Sequence, residues 1–183
     1  MDGETENGPV GDRALRGAFS GWIVMKKFQD RKRLHLTNFV YKGSGHIYFI
    51  TVCTAGRQPL FFDKKLAKIL EDEIEFRREK KEVKIFCYCI MPDHLHILLS
   101  LTDDYEKGLQ NWVSSFKRYT TKIAKEEKDI NPLWQRNFFD RVVRTEESIR
   151  DFVQYILNNP VRKGIVANWE EYPFNKMLDS LPL

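Results

Sequence analysis

Val83-Lys84-Ile85-Phe86-Cys87-Tyr88-Cys89-Ile90-Met91-Pro92-Asp93-His94-Leu95-His96-Ile97-Leu98-Leu99-Ser100-Leu101 contains two extended segments in succession. Val83 to Ile90 is dense in β-branched and aromatic residues, as a buried strand requires, and Pro92-Asp93 interrupts it before a second strand, Leu95 to Leu101. Residues two apart on a strand face the same way, so His94 and His96 share one face while Leu95, Ile97 and Leu99 occupy the other. Strand rise puts the two histidine Cα atoms ~6–7 Å apart, close enough for both imidazoles to hold one divalent metal. A chance His-x-His on a half-exposed strand reads the same way, so a third ligand is needed to decide.

Working outward, His46 to Thr54 forms an earlier strand. Asp63 to about Lys81 has the three-to-four spacing of a helix, with Leu66, Ile69, Leu70, Ile74 and Arg77 on its inner face and Asp63 able to cap its start. A second helix is expected from Tyr105 to about Lys125, with Leu109, Trp112, Val113, Phe116, Tyr119 and Ile123 inward, and a fourth strand from Phe138 to Arg144. A last helix starts near Thr145-Glu146-Glu147 and runs from Ser148 to Asn158 or Asn159, where Pro160 stops it. The first six elements have the β-α-β-β-α-β order of an α+β, ferredoxin-like domain: an antiparallel sheet with helices on one face, plus a C-terminal helix. The second sheet face is then available for a site.

Within Gln154-Tyr155-Ile156-Leu157-Asn158-Asn159-Pro160-Val161-Arg162-Lys163-Gly164, Tyr155 and Asn159 are four apart and share a helical face. An asparagine carbonyl oxygen is a competent ligand for a hard cation. Taken singly, a half-buried tyrosine and an asparagine before proline are also ordinary ways to end a helix. Taken with the histidines, the set offers nitrogen and oxygen donors without cysteine, which favours Mg²⁺ or Mn²⁺ over structural zinc. A phenol of pKa near 10 is a poor nucleophile unassisted, but beside a metal-bound phosphate it can attack phosphorus.

The chain has 183 residues, 42% hydrophobic and 13% aromatic, which excludes wholesale disorder and suits one domain with a tail. No apolar run reaches the ~20 residues of a membrane span, so a soluble, cytoplasmic protein without a membrane partner is expected. Cys53, Cys87 and Cys89 are odd in number and lack metal-ligand spacing, so they read as buried thiols. Residues 1–24 are expected to be a weakly ordered leader or an appended remnant, with Met25 as an alternative start and 25–183 as the single catalytic domain. Setting that acidic stretch aside raises the net charge of the rest from +4 to +6. A basic run at Lys26, Lys27, Arg31, Lys32 and Arg33 follows, either as a solvated arm or as phosphate contacts.

The sequence resembles the single-tyrosine HUH transposases, in particular the REP-associated tyrosine transposase branch. The likeness lies in the Met-Pro-Asp-His-Leu-His-Ile-Leu setting of His94 and His96 and in the run from Tyr155 to Gly164. Leu133-Trp134-Gln135-Arg136, Phe139-Asp140-Arg141-Val142-Val143-Arg144 and Trp169-x-x-Tyr172-Pro173-Phe174 extend it, so that it spans about Lys32 to Phe174. The resemblance implies cutting and rejoining of single-stranded DNA at hairpin-forming repeats. It implies His94 and His96 as metal ligands, Asn159 as the third, and Tyr155 as the nucleophile that becomes joined to the 5′-phosphate. Tyr119 is a rival nucleophile but reads as core, and Asn158 is a rival ligand off the Tyr155 face. A DNA track is expected at Lys117, Arg118, Lys122, Arg136, Arg141, Arg144, Arg162 and Lys163. The basic C-terminal extension of that branch is not evident in Asn175 to Leu183. The alternatives are a domesticated hairpin-DNA binding protein that does not cleave, and a phosphodiesterase using water. Monomer and homodimer, with the tyrosine acting in cis or in trans, both stay open.

Overall fold

A computed structural model describes residues 45–144 and 146–182, the Glu147 side chain excepted. The expected leader and the basic run lie outside the described residues. Among the described residues the main elements follow in order: β1 (Ile47–Cys53), α1 (Lys64–Glu79), β2 (Val83–Met91), β3 (His94–Leu101), α2 (Leu109–Lys128), β4 (Phe139–Val143), α3 (Glu146–Leu157) and β5 (Asn175–Met177). The strands form a single antiparallel sheet in the order β4-β1-β3-β2-β5. The first four strands and two helices are the expected ferredoxin-like βαββαβ unit. β5, three residues added outside β2, was not anticipated, because so short a strand carries no readable alternation.

Period-two alternation divides the sheet into two buried faces. On one, Tyr48, Ile50, Val52, Tyr88, Ile90, Leu95, Ile97 and Leu99 pack against Leu66, Leu70 and Ile74 of α1 and Trp112, Val113 and Phe116 of α2. Asp63 caps α1 as expected, its carboxylate accepting from the Lys65 N–H at 2.8 Å. α2 begins at Leu109 rather than Tyr105 because Gly108, at φ +34°, breaks the chain direction there.

The second face carries Phe49, His94, His96 and Leu98, and α3 lies over it with Phe152 against Phe49 at 4.8 Å between ring centres. The last helix was expected to run to Asn158 or Asn159 and stop at Pro160; α3 instead ends at Leu157, and Pro160 falls in the first turn of a new short helix, Asn159–Arg162. Its missing N–H costs nothing in that position. Gly164, at φ +67°, closes the turn, and the next N–H, that of Ile165, returns to the Pro160 carbonyl at 2.9 Å. Asn175 on β5 fastens this end to the sheet: its amide donates to the carbonyls of Leu157 at 2.8 Å and Trp169 at 3.2 Å.

Tyr119 corrects the sequence reading. It is 47% exposed, and the buried stripe of α2 passes through Thr120 and Ala124 instead. Thr120 rather than Tyr119 faces inward, and the Trp134 indole N–H donates to its hydroxyl at 2.8 Å.

Candidate active site

His94 opens β3 and His96 follows it on the same face, 7% and 4% exposed, with their Nε2 atoms 3.1 Å apart. Two nitrogens on one octahedral cation with bonds of ~2.1 Å lie ~3.0 Å apart, so the spacing suits a shared divalent metal. Each ring is held from behind. Nδ1 of His94 lies 2.5 Å from Asp93 Oδ1, and Nδ1 of His96 lies 2.8 Å from the Thr51 hydroxyl, its register partner on β1. With those Nδ1 atoms protonated, both Nε2 lone pairs converge on one point, as metal-bound histidines with supporting partners require.

Burial pushes the His94 pKa down, against the opposing pull of Asp93. Burial pushes His96 well below the ordinary histidine value, and neighbouring His94, Arg162 and Arg57 add to that direction. Both shifts favour the neutral ring, the form in which imidazole binds metal. Among the described residues no third His, Cys, Asp or Glu completes a metal-binding group. Cys53 and Cys89 stand opposite His94 and His96 in the register, but burial raises both thiols and keeps them protonated.

Tyr155 reaches the site from the last turns of α3. Its ring centre is 5.4 Å from that of His96 and 5.8 Å from that of Phe49, which itself stacks on His96 at 5.4 Å. The Arg162 guanidinium lies over the Tyr155 ring, 4.8 Å from its centre. Asn159 is 4% exposed at the start of the turn after α3, whereas the Asn158 amide is committed to the Gln154 carbonyl at 3.0 Å. Tyr119 lies on α2, whose helix packs the opposite face of the sheet.

The basic residues divide between the two faces. Arg162 lies on Tyr155, Lys163 is near enough to influence His94, and Arg141 on β4 lies over Phe152 at 5.6 Å, all on the histidine face. Arg136 and Arg144 are exposed on either side of β4. Arg118 and Lys122 are exposed on α2, which packs on the other face, and Lys122 is within 3.8 Å of Glu126. Lys117 is half-buried and donates to the carbonyls of Gln135 at 2.6 Å and Arg136 at 3.0 Å, so it braces the loop before β4.

The family described as Transposase IS200 like matches residues 42–159. This chain belongs to that transposase family. A REP-associated tyrosine transposase of Escherichia coli (strain K12) is 23% identical over 135 residues, covering 74% of this transposase and 78% of that protein. An uncharacterised protein of Haemophilus influenzae (strain ATCC 51907 / DSM 11121 / KW20 / Rd) is 26% identical over 162 residues, 72% of this chain and 88% of that one. Among solved structures, a REP-associated tyrosine transposase bound to a REP hairpin shares the fold, with a TM-score of 0.62 at 22% identity over 80% of this chain and 81% of that chain.

Thr51, Asp93, Arg57 and Phe49 were missed by sequence reasoning. Asp93 adjoins His94 and was within reach of it. The other three depend on cross-strand register and on a turn, which spacing along the chain does not reveal.

Proposed function

We propose that this transposase is a metal-dependent single-stranded DNA endonuclease and strand transferase, cutting near hairpin-forming repeats through a covalent 5′-phosphotyrosine. The observation carrying this reading is the convergence of the two buried Nε2 atoms beside the Tyr155 ring. The family membership and the hairpin DNA bound by the fold neighbour support the substrate class.

In this reading His94, His96 and the Asn159 carbonyl oxygen hold Mg²⁺ or Mn²⁺. When bound, the cation supplies positive charge to the scissile phosphate and a fixed point for its orientation. Tyr155 provides the nucleophile: its phenolic oxygen bonds to phosphorus, its proton passes to solvent, and the bond from phosphorus to the 3′-oxygen breaks, that oxygen leaving with a proton. The 5′ side of the break stays on Tyr155, so the bond energy is kept and a second 3′-hydroxyl can reverse the step. Arg162 keeps the phenol ring in place and adds positive charge where the phosphate must sit.

The test is an end-labelled single-stranded hairpin incubated with the full chain and Mn²⁺. The reading expects a protein–DNA adduct stable to denaturant, lost with chelator and in His94→Ala and Tyr155→Phe, and kept in Tyr119→Phe. Tight binding without adduct across varied hairpins would instead establish a non-cleaving binding protein. Cleavage that survives Tyr155→Phe would establish hydrolysis by water.

A further inference from the structure

Behind His94 lies a carboxylate–guanidinium pair, Asp93 and Arg57. One oxygen of Asp93 faces Nδ1 of His94 at 2.5 Å, and the other accepts from Arg57 Nη1 at 3.1 Å. Arg57 sits in the turn after β1, where Gly56 and Arg57 have φ of +62° and +57°. Glycine takes that conformation freely, while a residue with a β-carbon rarely does. The turn is locked to the segment bearing Asp93: the Thr54 N–H donates to the Asp93 carbonyl at 3.0 Å, the single proton of the Thr54 hydroxyl faces the carbonyls of Gln58 at 2.7 Å and Asp93 at 3.0 Å, and the Arg57 N–H returns to the Thr54 carbonyl at 3.1 Å. An unfavourable backbone conformation is thus retained where it presents a guanidinium to the carboxylate behind one histidine. Among the described residues, the hydroxyl of Thr51 takes the corresponding place behind His96.

We propose that Asp93 and Arg57 are a positioning pair for His94: Asp93 accepts from Nδ1–H and so directs the Nε2 lone pair toward His96, and Arg57 fixes the direction in which the Asp93 carboxylate faces. Which nitrogen of a neutral imidazole carries the proton is set by the hydrogen bond its other nitrogen makes. Supporting carboxylates of this kind orient metal-binding histidines, and their loss costs about 10–100-fold in metal affinity. The Arg57 side chain is more than half exposed, so its removal empties no core space. The proposal deepens the metal-site reading and rests on it.

The test uses the full chain as wild type, Asp93→Ala, Asp93→Asn and Arg57→Gly, with two readouts. Nitrogen-15 NMR of metal-free protein reads the His94 tautomer, and Mn²⁺ titration followed by electron paramagnetic resonance reads affinity. Wild type is expected to carry the His94 proton on Nδ1. Asp93→Ala should move it toward Nε2 and weaken Mn²⁺ binding about 10–100-fold, with partial recovery in Asp93→Asn, whose amide oxygen still accepts. Arg57→Gly suits the left-handed backbone, so it should keep the thermal midpoint while weakening Mn²⁺ several-fold. A purely structural role would lower thermal midpoints and leave tautomer and affinity alone. The proposal is overturned if wild type carries the proton on Nε2, or if the folded variants keep both the wild-type tautomer and Mn²⁺ affinity within twofold. If wild type binds no Mn²⁺, the metal reading fails separately, and the tautomer comparison still decides the role of the pair. If Asp93→Ala does not fold, Asp93→Asn and Arg57→Gly carry the same comparison.

Discussion

At His96 a single cross-strand row assembles the polar side of the site. Thr51 on β1, Cys89 on β2 and Asn175 on β5 align with it through successive pairings. Thr51 holds the ring, Cys89 stays a protonated thiol under the weight of burial, and Asn175 holds the end of α3. Arg162 is the residue whose loss separates chemistry from stability. A partly exposed cation–π contact is worth about 0.5–1 kcal/mol, so Arg162→Ala should lower the thermal midpoint by only a few degrees. The rate of adduct formation should fall tenfold or more, with Arg162→Lys intermediate, as measured on denaturing gels. The shared face of His94 and His96 was legible because both lie in one strand, whose period fixes direction, whereas Tyr155 and Asn159, expected on one helix, fall on α3 and on the short helix that follows it. Phe49, Thr51 and Arg57 were not, because what brings them to the histidines is the pairing of β1 with β3 and a left-handed turn. The site roles remain proposals that spacing and geometry support.

Among the elements, α3 has a one-sided support on which the tyrosine's position depends. Asn175→Ala removes two donors from buried or half-buried carbonyls, leaving them unpaired at a cost of about 1–3 kcal/mol. Chemical denaturation should show that loss, and hydrogen exchange should show faster opening of α3 than of β3. β5 was illegible because three residues give no pattern to read, yet its Lys176 also anchors α1. Glu71 of α1 accepts from Lys176 at 2.5 Å, Tyr88 at 2.9 Å and Lys68 at 2.9 Å. Burial alone would raise its pKa, but these donors outweigh it and hold the carboxyl at about 2, below its ordinary 4.5. A depressed carboxyl stabilises the fold above its unfolded pKa, and that contribution disappears as pH falls through the folded one. Urea midpoints of the wild type should therefore drop between about pH 4.5 and 2, and Glu71→Gln should flatten that drop. Tyr119 was misread because helix period marks a face but not its edge, and Trp134, fifteen residues on, chose Thr120 as its contact.

For the molecule as a whole, the βαββαβ order was legible from alternation and helix spacing, since these local patterns leave few ways to pair four strands. The layering of charge was not, because a list of basic residues does not say which face of the sheet each serves. No helix of the described residues is long and apolar enough to cross a membrane. If single-stranded DNA follows the histidine face, Arg141→Ala and Arg162→Ala should each reduce the slope of log affinity against log salt by about 0.7, the effect of one lost phosphate contact. Arg118→Ala and Lys122→Ala on α2 should leave that slope unchanged, as fluorescence anisotropy over a salt series will read. The central claim is that Tyr155 takes the cut strand. Mass spectrometry of the protease-digested adduct from wild-type protein, Mn²⁺ and a single-stranded hairpin tests it most directly. The account predicts one nucleotide-bearing peptide, modified at Tyr155 through a 5′-phosphate. Modification at Tyr119 or another tyrosine, or cleaved DNA with a free 5′-phosphate and no modified peptide, would contradict it.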